Sequence, residues 1–252
     1  MSELDGVVAL VTGSSRGIGA AIARRFAGAG ATVAVHGRDA QSVAAVREQI
    51  EAAGGRAISV LADLTDLAQV EAARVSIEDS IGPVDVLVAN AGGNPVRPGP
   101  VEEITPAGWQ ASIEANLTAT FLTVKAFLPG MKERRRGTII TMSSAAARRP
   151  TAQSPLAYAA AKAGIELLTK HVALQAGPFG IRVTCIAPET ILTETNRQQI
   201  PAQVQEQLSQ AHPLQRLGTP EDVADAALFL ASQRSAWISG VTLDVAGGSV
   251  LV

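Results

Sequence analysis

The chain has 252 residues, a length that suits one large α/β domain, and 47% of them are hydrophobic, enough to bury both faces of a sheet. Lys and Arg number 21 against 23 Asp and Glu, without the clustered basic excess of a nucleic-acid protein. A single cysteine, Cys185, excludes an internal disulfide framework. Met1–Gly6 lacks the charged-then-apolar pattern of a signal peptide, and no apolar stretch is long enough for a bilayer. The expectation is a cytoplasmic protein that acts on a small molecule, with no nucleic-acid or membrane partner.

In chain order, Val7–Thr12 is a short strand-like run that leads into Gly13-Ser14-Ser15-Arg16-Gly17-Ile18-Gly19 and then an alanine-rich helix. Gly13 permits a sharp exit from the strand. Gly17 and Gly19 let the helix start approach a pyrophosphate and the sheet, and the free N–H groups of that helix end attract the anion. The spacing is G-x-x-x-G-x-G, and its position decides the reading, because a dinucleotide fingerprint must lie between the first strand and the first helix. Thr32–His36 is the second strand, and Gly37-Arg38 follows it. An acid there would accept a ribose 2′-hydroxyl, whereas arginine suits a 2′-phosphate, and Arg16 can close over the same group. The cofactor expected is therefore NADP rather than NAD. Asp39 comes two positions late for the acid and reads as a helix cap.

Gly54-Gly55 stops the second helix, Ala57–Leu61 is the third strand, and Asp66 caps the helix after it. Val84–Ala89 is the fourth strand. Thr105-Pro106 pairs a cap with a proline at the first helical position and opens a long helix read as Thr105–Lys132. Thr138–Met142, Arg182–Ile186 and Thr242–Val245 are the remaining strands, with a helix over Leu156–Ala176 and another opening at Thr219-Pro220-Glu221-Asp222. Near-continuous apolar strands alternating with helices predict an α/β fold: a doubly wound parallel sheet of about seven strands with helices on both faces. Residues 1–252 read as one dinucleotide-binding and catalytic domain. The polar, glutamine-rich stretch 188–217 follows a strand end, where such sheets bind ligands, and is expected to be a substrate lid.

Tyr158 and Lys162 lie four apart on a predicted helix and so share a face. A nearby ammonium favours the phenolate, which would make Tyr158 a general acid for ketone reduction and a base for alcohol oxidation. Around this pair the motifs fall in order: Thr12 with its glycine loop, Asp63-Leu64, Asn90-Ala91-Gly92, Asn116, Ser143-Ser144, Tyr158-Ala159-Ala160-Ala161-Lys162, Pro188 with Thr193, and Pro220–Ala224 with Gly247-Gly248. Together they resemble the short-chain dehydrogenase/reductase family, nearest in motifs to 3-oxoacyl-(acyl-carrier-protein) reductases.

The resemblance implies a Rossmann-type fold, a homotetramer paired through the two long helices, and an oxidoreductase that reduces a carbonyl by hydride transfer. It implies that Ser144, the second serine of its pair, holds the carbonyl oxygen, and that Lys162 also binds the nicotinamide ribose. Asn116 would hold a water that links Lys162 to solvent. Cofactor contacts would come from Gly13, Ser15, Arg16, Gly17, Ile18, Gly19, Arg38, Asp63, Leu64, Asn90, Ala91, Gly92, Tyr158, Lys162, Pro188, Ile191 and Thr193. Rival readings are a nucleotide-binding redox sensor or scaffold without turnover, and an NAD-preferring alcohol dehydrogenase.

The spacing from Ser144 to Tyr158 is one residue longer than the family's, with the extra residue expected in 149–155. Glu189 replaces the glycine usual after Pro188, and Arg148-Arg149 stand where small residues are common. An arginine aimed into the pocket would read an anionic substrate; otherwise the pair faces solvent or acids such as Glu189 or Glu194. His36, His171 and His212 lack metal spacing and are expected at the surface or at helix caps. The run Lys132–Arg136 reads as a solvated turn. Acyl-carrier reductases use a second basic residue before the sixth strand, and Gly177-Pro178-Phe179-Gly180 stands there instead.

Overall fold

A computed structural model describes residues 2–96, 98–151 and 154–251. Its strands are β1 (Val8–Val11), β2 (Thr32–Gly37), β3 (Arg56–Leu61), β4 (Val86–Ala89), β5 (Gly137–Met142), β6 (Ile181–Pro188) and β7 (Thr242–Val245). All pair in parallel in one seven-stranded sheet of order β3-β2-β1-β4-β5-β6-β7. The helices are α1 (Gly17–Gly28), α2 (Ala40–Ala52), α3 (Leu67–Ile81), α4 (Pro106–Ile113), α5 (Ala119–Arg134), α6 (Ala145–Arg148), α7 (Leu156–Ala176), α8 (Glu194–Gln199), α9 (Ala202–Ala211) and α10 (Pro220–Ala231). Every strand and every cap expected from the sequence is present.

Period-two alternation sends side chains to two buried layers. Ala9, Val11, Val33 and Val35 pack under α1, α2 and α10, around Phe26 and Ile22. Leu10, Ala34 and Leu87 pack on the other side, against α3, α5 and α7, around Phe127 and Met131. Asp39 and Asp66 accept from Ser42 N and Ala68 N as N-caps, and Thr219 and Asp222 close a reciprocal capping box.

One element departs from expectation. The helix read over Thr105–Lys132 is interrupted by a π turn at Glu114–Thr118, between α4 and α5. Asn116 sits in that turn, and its Nδ2 donates to Ser112 O at 2.9 Å, a side chain standing in for a backbone donor. A π turn of this kind re-aims the side chains after it and is common at functional sites.

The strand order reverses between β1 and β4, and the loops after these two strands open a crevice at the carboxyl edge of the sheet. In doubly wound sheets that crevice is where ligands bind.

Candidate active site

The loop after β1 is built for close approach. Gly13 has φ +62°, and a Cβ there would lie 2.9 Å from Ala91 Cα. A Cβ on Gly19 would fall 2.3 Å from Gly13 O and 2.6 Å from Asn90 Nδ2. Gly17 has φ +55° and faces Thr193, whose Cγ2 would be 3.2 Å from an added Cβ. Thr12 Oγ1 accepts from Asn90 N and Ala91 N, both at 3.0 Å, while Asn90 Nδ2 donates to Thr12 O at 2.9 Å. Arg16 is the N-cap of α1 in extended backbone, and no side chain caps that end. The first-turn N–H groups of α1 are thus left to an anion.

His36 is the functional residue missed at the sequence level. It is buried rather than at the surface, and its ring clasps the glycine loop. Nδ1 accepts from Gly13 N at 3.1 Å and Nε2 faces Ala62 O at 3.2 Å, which requires the neutral ring protonated on Nε2. Burial lowers its pKa and keeps that neutral form, with the Ala62 carbonyl opposing the shift. Ser14 completes the clasp, accepting from His36 N at 2.9 Å and donating to Val11 O at 2.6 Å. Only the β1–β2–β3 arrangement brings these groups together.

Beyond the loop, a cleft of 530 Å³ is lined by Arg16, Gly37, Arg38, Asp63, Leu64 and Gly92. A Cβ on Gly37 would lie 2.8 Å from Val43 Cγ2 and 3.1 Å from Ser15 Cβ, so Ser15 closes the space an acid would need. Both arginines are exposed, and among the described residues neither forms an ion pair. Asp63 accepts from Thr65 N and Oγ1, bonds that hold its carboxyl below the usual range.

The same crevice continues into a cleft of 600 Å³, whose walls include Ile18, Gly19, Ser144, Tyr158, Lys162, Pro188, Ile191 and Thr193. Ser144 caps α6 at the end of β5, its Oγ accepting from Ala146 N at 3.2 Å, and it lines the same cleft as Tyr158. Ser143 points elsewhere, donating to Lys162 O at 3.1 Å and Glu166 Oε1 at 2.8 Å. Lys162 is buried; its Nζ donates to Met142 O at 2.8 Å and lies 5.4 Å from the centre of the Tyr158 ring. Burial pushes its pKa down to about 8. The Tyr158 phenol is pushed up by burial, against a smaller opposing effect of the nearby Ser144 hydroxyl. The expected lowering by the Lys162 ammonium is therefore not what the protein itself produces. Tyr158 keeps its proton at neutral pH and stands ready as an acid.

Asn116 Nδ2 also donates to Gly93 O at 2.7 Å, and its Oδ1 accepts from Gly93 N at 3.1 Å. A Cβ on Gly92 would lie 2.6 Å from that Oδ1 and 3.3 Å from Lys162 Nζ. In this structure the side chain braces the loop after β4 against the π turn, with Lys162 beside it.

Of the two alternatives for Arg148 and Arg149, the structure favours the one without a pocket role. Arg148 does not enter the pocket: it is paired with Glu166 at 3.0 Å and Asp244 at 2.9 Å. Arg149 donates to Ser249 O at 2.5 Å, so neither arginine meets Glu189 or Glu194. His212 is a helix cap, as expected, at the end of α9, but it is buried and pairs with Glu189. The run Lys132–Arg136 is largely exposed, as expected of a solvated turn, with Arg136 on Asp85, Arg134 on Val84 O and Arg135 on Pro178 O. Within 149–155, Ala152 and Gln153 lie outside the described residues. Among the described residues no group of His, Cys, Asp or Glu could hold a metal.

The glycine cradle, the uncapped α1 and the crevice fit a dinucleotide, and the comparisons agree. A family model described as enoyl-(acyl carrier protein) reductase matches residues 13–249. The 7alpha-hydroxysteroid dehydrogenase of Escherichia coli K12 is 36% identical over 248 residues, 98% of this chain and 96% of its own length. A solved 3-oxoacyl-[acyl-carrier protein] reductase with bound NAD from Brucella melitensis has TM-score 0.90 and 37% identity, covering 99% of this chain and 95% of that one. A gluconate 5-dehydrogenase from Burkholderia cenocepacia, solved with NADP and tartrate, has TM-score 0.91 and 34% identity over 98% of this chain and 96% of that one.

Proposed function

Because this chain belongs to the short-chain dehydrogenase/reductase family, we propose that it reduces a ketone or other carbonyl to an alcohol with NADPH, Tyr158 supplying the proton. At the coarser level it is an oxidoreductase of carbonyl and alcohol groups that uses a nicotinamide cofactor. The observation that carries the finer reading is the convergence of Ser144, Tyr158 and Lys162 on one cleft, joined to the glycine loop.

A nicotinamide cofactor, when bound, would supply the hydride. Tyr158 donates its proton to the carbonyl oxygen, and Ser144 holds that oxygen as negative charge gathers on it. Lys162, fixed by Met142 O, keeps a positive charge beside the phenol and binds the ribose. Ile18, Pro188, Ile191 and Thr193 wall the reacting end, Asp63 and Leu64 the adenine end, and residues 188–217 form the substrate lid. The relatives' names span a hydroxysteroid, an oxoacyl carrier protein and gluconate, so the substrate is best found by following NADPH oxidation against a panel of ketones, acyl thioesters, sugars, diketones, quinones and keto acids. Cofactor binding with no turnover on any of them would favour a sensor.

The preference for NADP rests on Arg16 and Arg38, which line the same cleft beside a crowded Gly37. Each can give a 2′-phosphate charge-assisted bonds, roughly 1.5–3 kcal/mol apiece. Arg38→Asp is expected to weaken NADPH binding roughly tenfold or more and to narrow or reverse the preference over NADH. Dissociation constants for both cofactors check this, and a wild-type protein that bound NADH more tightly would overturn it.

The assembly proposed is a homotetramer in the cytoplasm. Among the described residues no helix is long and apolar enough to cross a membrane. Leu167 and Leu174 on α7 and Phe121 on α5 are exposed, an apolar face that self-association would cover. Sedimentation at micromolar concentration is expected to give a species near four times 25.9 kDa; a monomer alone would contradict the assignment.

A further inference from the structure

Helix α8 borders the cleft through Asn196, α9 follows it, and neither buries a single side chain. An element with so little buried surface opens at low cost unless something fastens it. At the end of α9 stands His212, which is buried. Its Nδ1 lies 2.6 Å from Leu208 O and its Nε2 lies 2.6 Å from Glu189 Oε2. Glu189 is the residue that follows β6, and its main chain extends the sheet by donating to Val245 O at 3.2 Å. Its carboxylate also accepts from Thr190 N and, at 3.2 Å, from Thr190 Oγ1.

Both ring nitrogens of His212 therefore face oxygens that cannot donate: a carbonyl and a carboxylate. A neutral imidazole has one N–H and can satisfy one of the two; the other contact would set lone pair against lone pair. The geometry holds only when the pair carries one further proton, as imidazolium and carboxylate. Glu189 and His212 line a cavity of 310 Å³ next to the cleft, and its other charged groups are already paired. Arg216 is bound to Asp222 at 2.6 and 2.7 Å, and Asp244 to Arg148. Among the described residues Glu189 is the one acid paired with the ring.

We propose that Glu189 and His212 form a proton-dependent latch that fastens the end of α9 to the residue after β6, at the border of the substrate cleft, closed while His212 is charged and released when it loses its proton. Release also leaves a net negative charge on Glu189, which lines the cleft with Tyr158 and Lys162. A basic solution would thus loosen the lid and repel anionic carbonyl compounds at once. This last consequence rests on the reading of the cleft as a substrate site; the latch does not.

Hydrogen–deuterium exchange on the full chain tests the latch without turnover. Between about pH 5.5 and about pH 9, the protection factors of the Leu208–Ala211 amides are expected to fall. The drop is roughly tenfold or more, the value of a charge-assisted bond. In Glu189→Gln the new amide can donate to a neutral Nε2, so protection should be the same at both ends of the window. His212→Leu should be unprotected throughout. Nitrogen-15 spectra of the wild-type histidines add a measurement free of mutation: His212 should show both nitrogens protonated at the acid end. Flat wild-type protection, a Glu189→Gln protein that tracks the wild type, or a neutral His212 at acid pH would each overturn the latch. With a substrate in hand, the KM for an anionic carbonyl should rise with pH in the wild type and not in Glu189→Gln. Failure of the carbonyl panel would leave the exchange result standing, and failure of the latch would leave the role of Tyr158 untouched.

Discussion

Replacing Tyr158 by phenylalanine is expected to lower carbonyl reduction roughly a hundred- to ten-thousandfold while leaving NADPH binding nearly intact. That range is what a positioned general acid contributes. The substitution deletes one hydroxyl, and the ring stays on α7 beside Lys162. The change should therefore appear in kcat and kcat/KM alike, with little shift in the cofactor dissociation constant. The pH profile gives a second readout. Burial raises the pKa of the Tyr158 phenol, so reduction, which needs the protonated form, should hold steady through neutral pH and decline only as the phenol ionises. Alcohol oxidation needs the phenolate and should climb over that same alkaline range. A Tyr158→Phe protein with near-normal rates would require another acid.

The second large effect is structural. Gly19→Ala is expected to raise the NADPH dissociation constant roughly ten- to hundredfold and to lower stability by about 1–3 kcal/mol, the usual penalty for forcing a carbon into packed space. The new Cβ would stand 2.3 Å from Gly13 O and 2.6 Å from Asn90 Nδ2, and neither neighbour can yield freely. Gly13 is fastened by His36, and Asn90 is fastened to Thr12. Any relief must move the glycine loop or the loop after β4, and both form the crevice. Gly28→Ala, in the same helix with nothing within 4 Å of its added Cβ, serves as the control and should change neither property. Urea unfolding and cofactor titration on both variants check the contrast. Equal behaviour of the two would mean that the loop tolerates what the geometry forbids.

Much of the molecule is decided by residues close together in the chain. Strand and helix periodicity, the caps at Asp39, Asp66, Thr105 and Thr219, the glycine loop, and the four-residue spacing of Tyr158 and Lys162 are all short-range features, and each one stands in the structure as read. The choice of Ser144 over Ser143 rests on family likeness; in the structure the Ser143 hydroxyl faces Lys162 O and Glu166.

Other features depend on partners that only the fold brings near. No local signal marks the π turn, since helix periodicity runs straight through Glu114–Thr118 and the break is filled by Asn116 bonding Gly93, 23 residues away. His36 looked like a surface histidine because the groups it clasps, Gly13 and Ala62, are 23 and 26 residues distant on neighbouring strands. For Arg148 the sequence leaves pocket and acid partner both open, and the fold supplies the partners, Glu166 and Asp244. Hydrophobic pattern and turn chemistry act over a few residues and so are written locally, whereas the partner of a charge or a hydrogen-bonding ring is settled by which strands and helices the sheet order sets side by side.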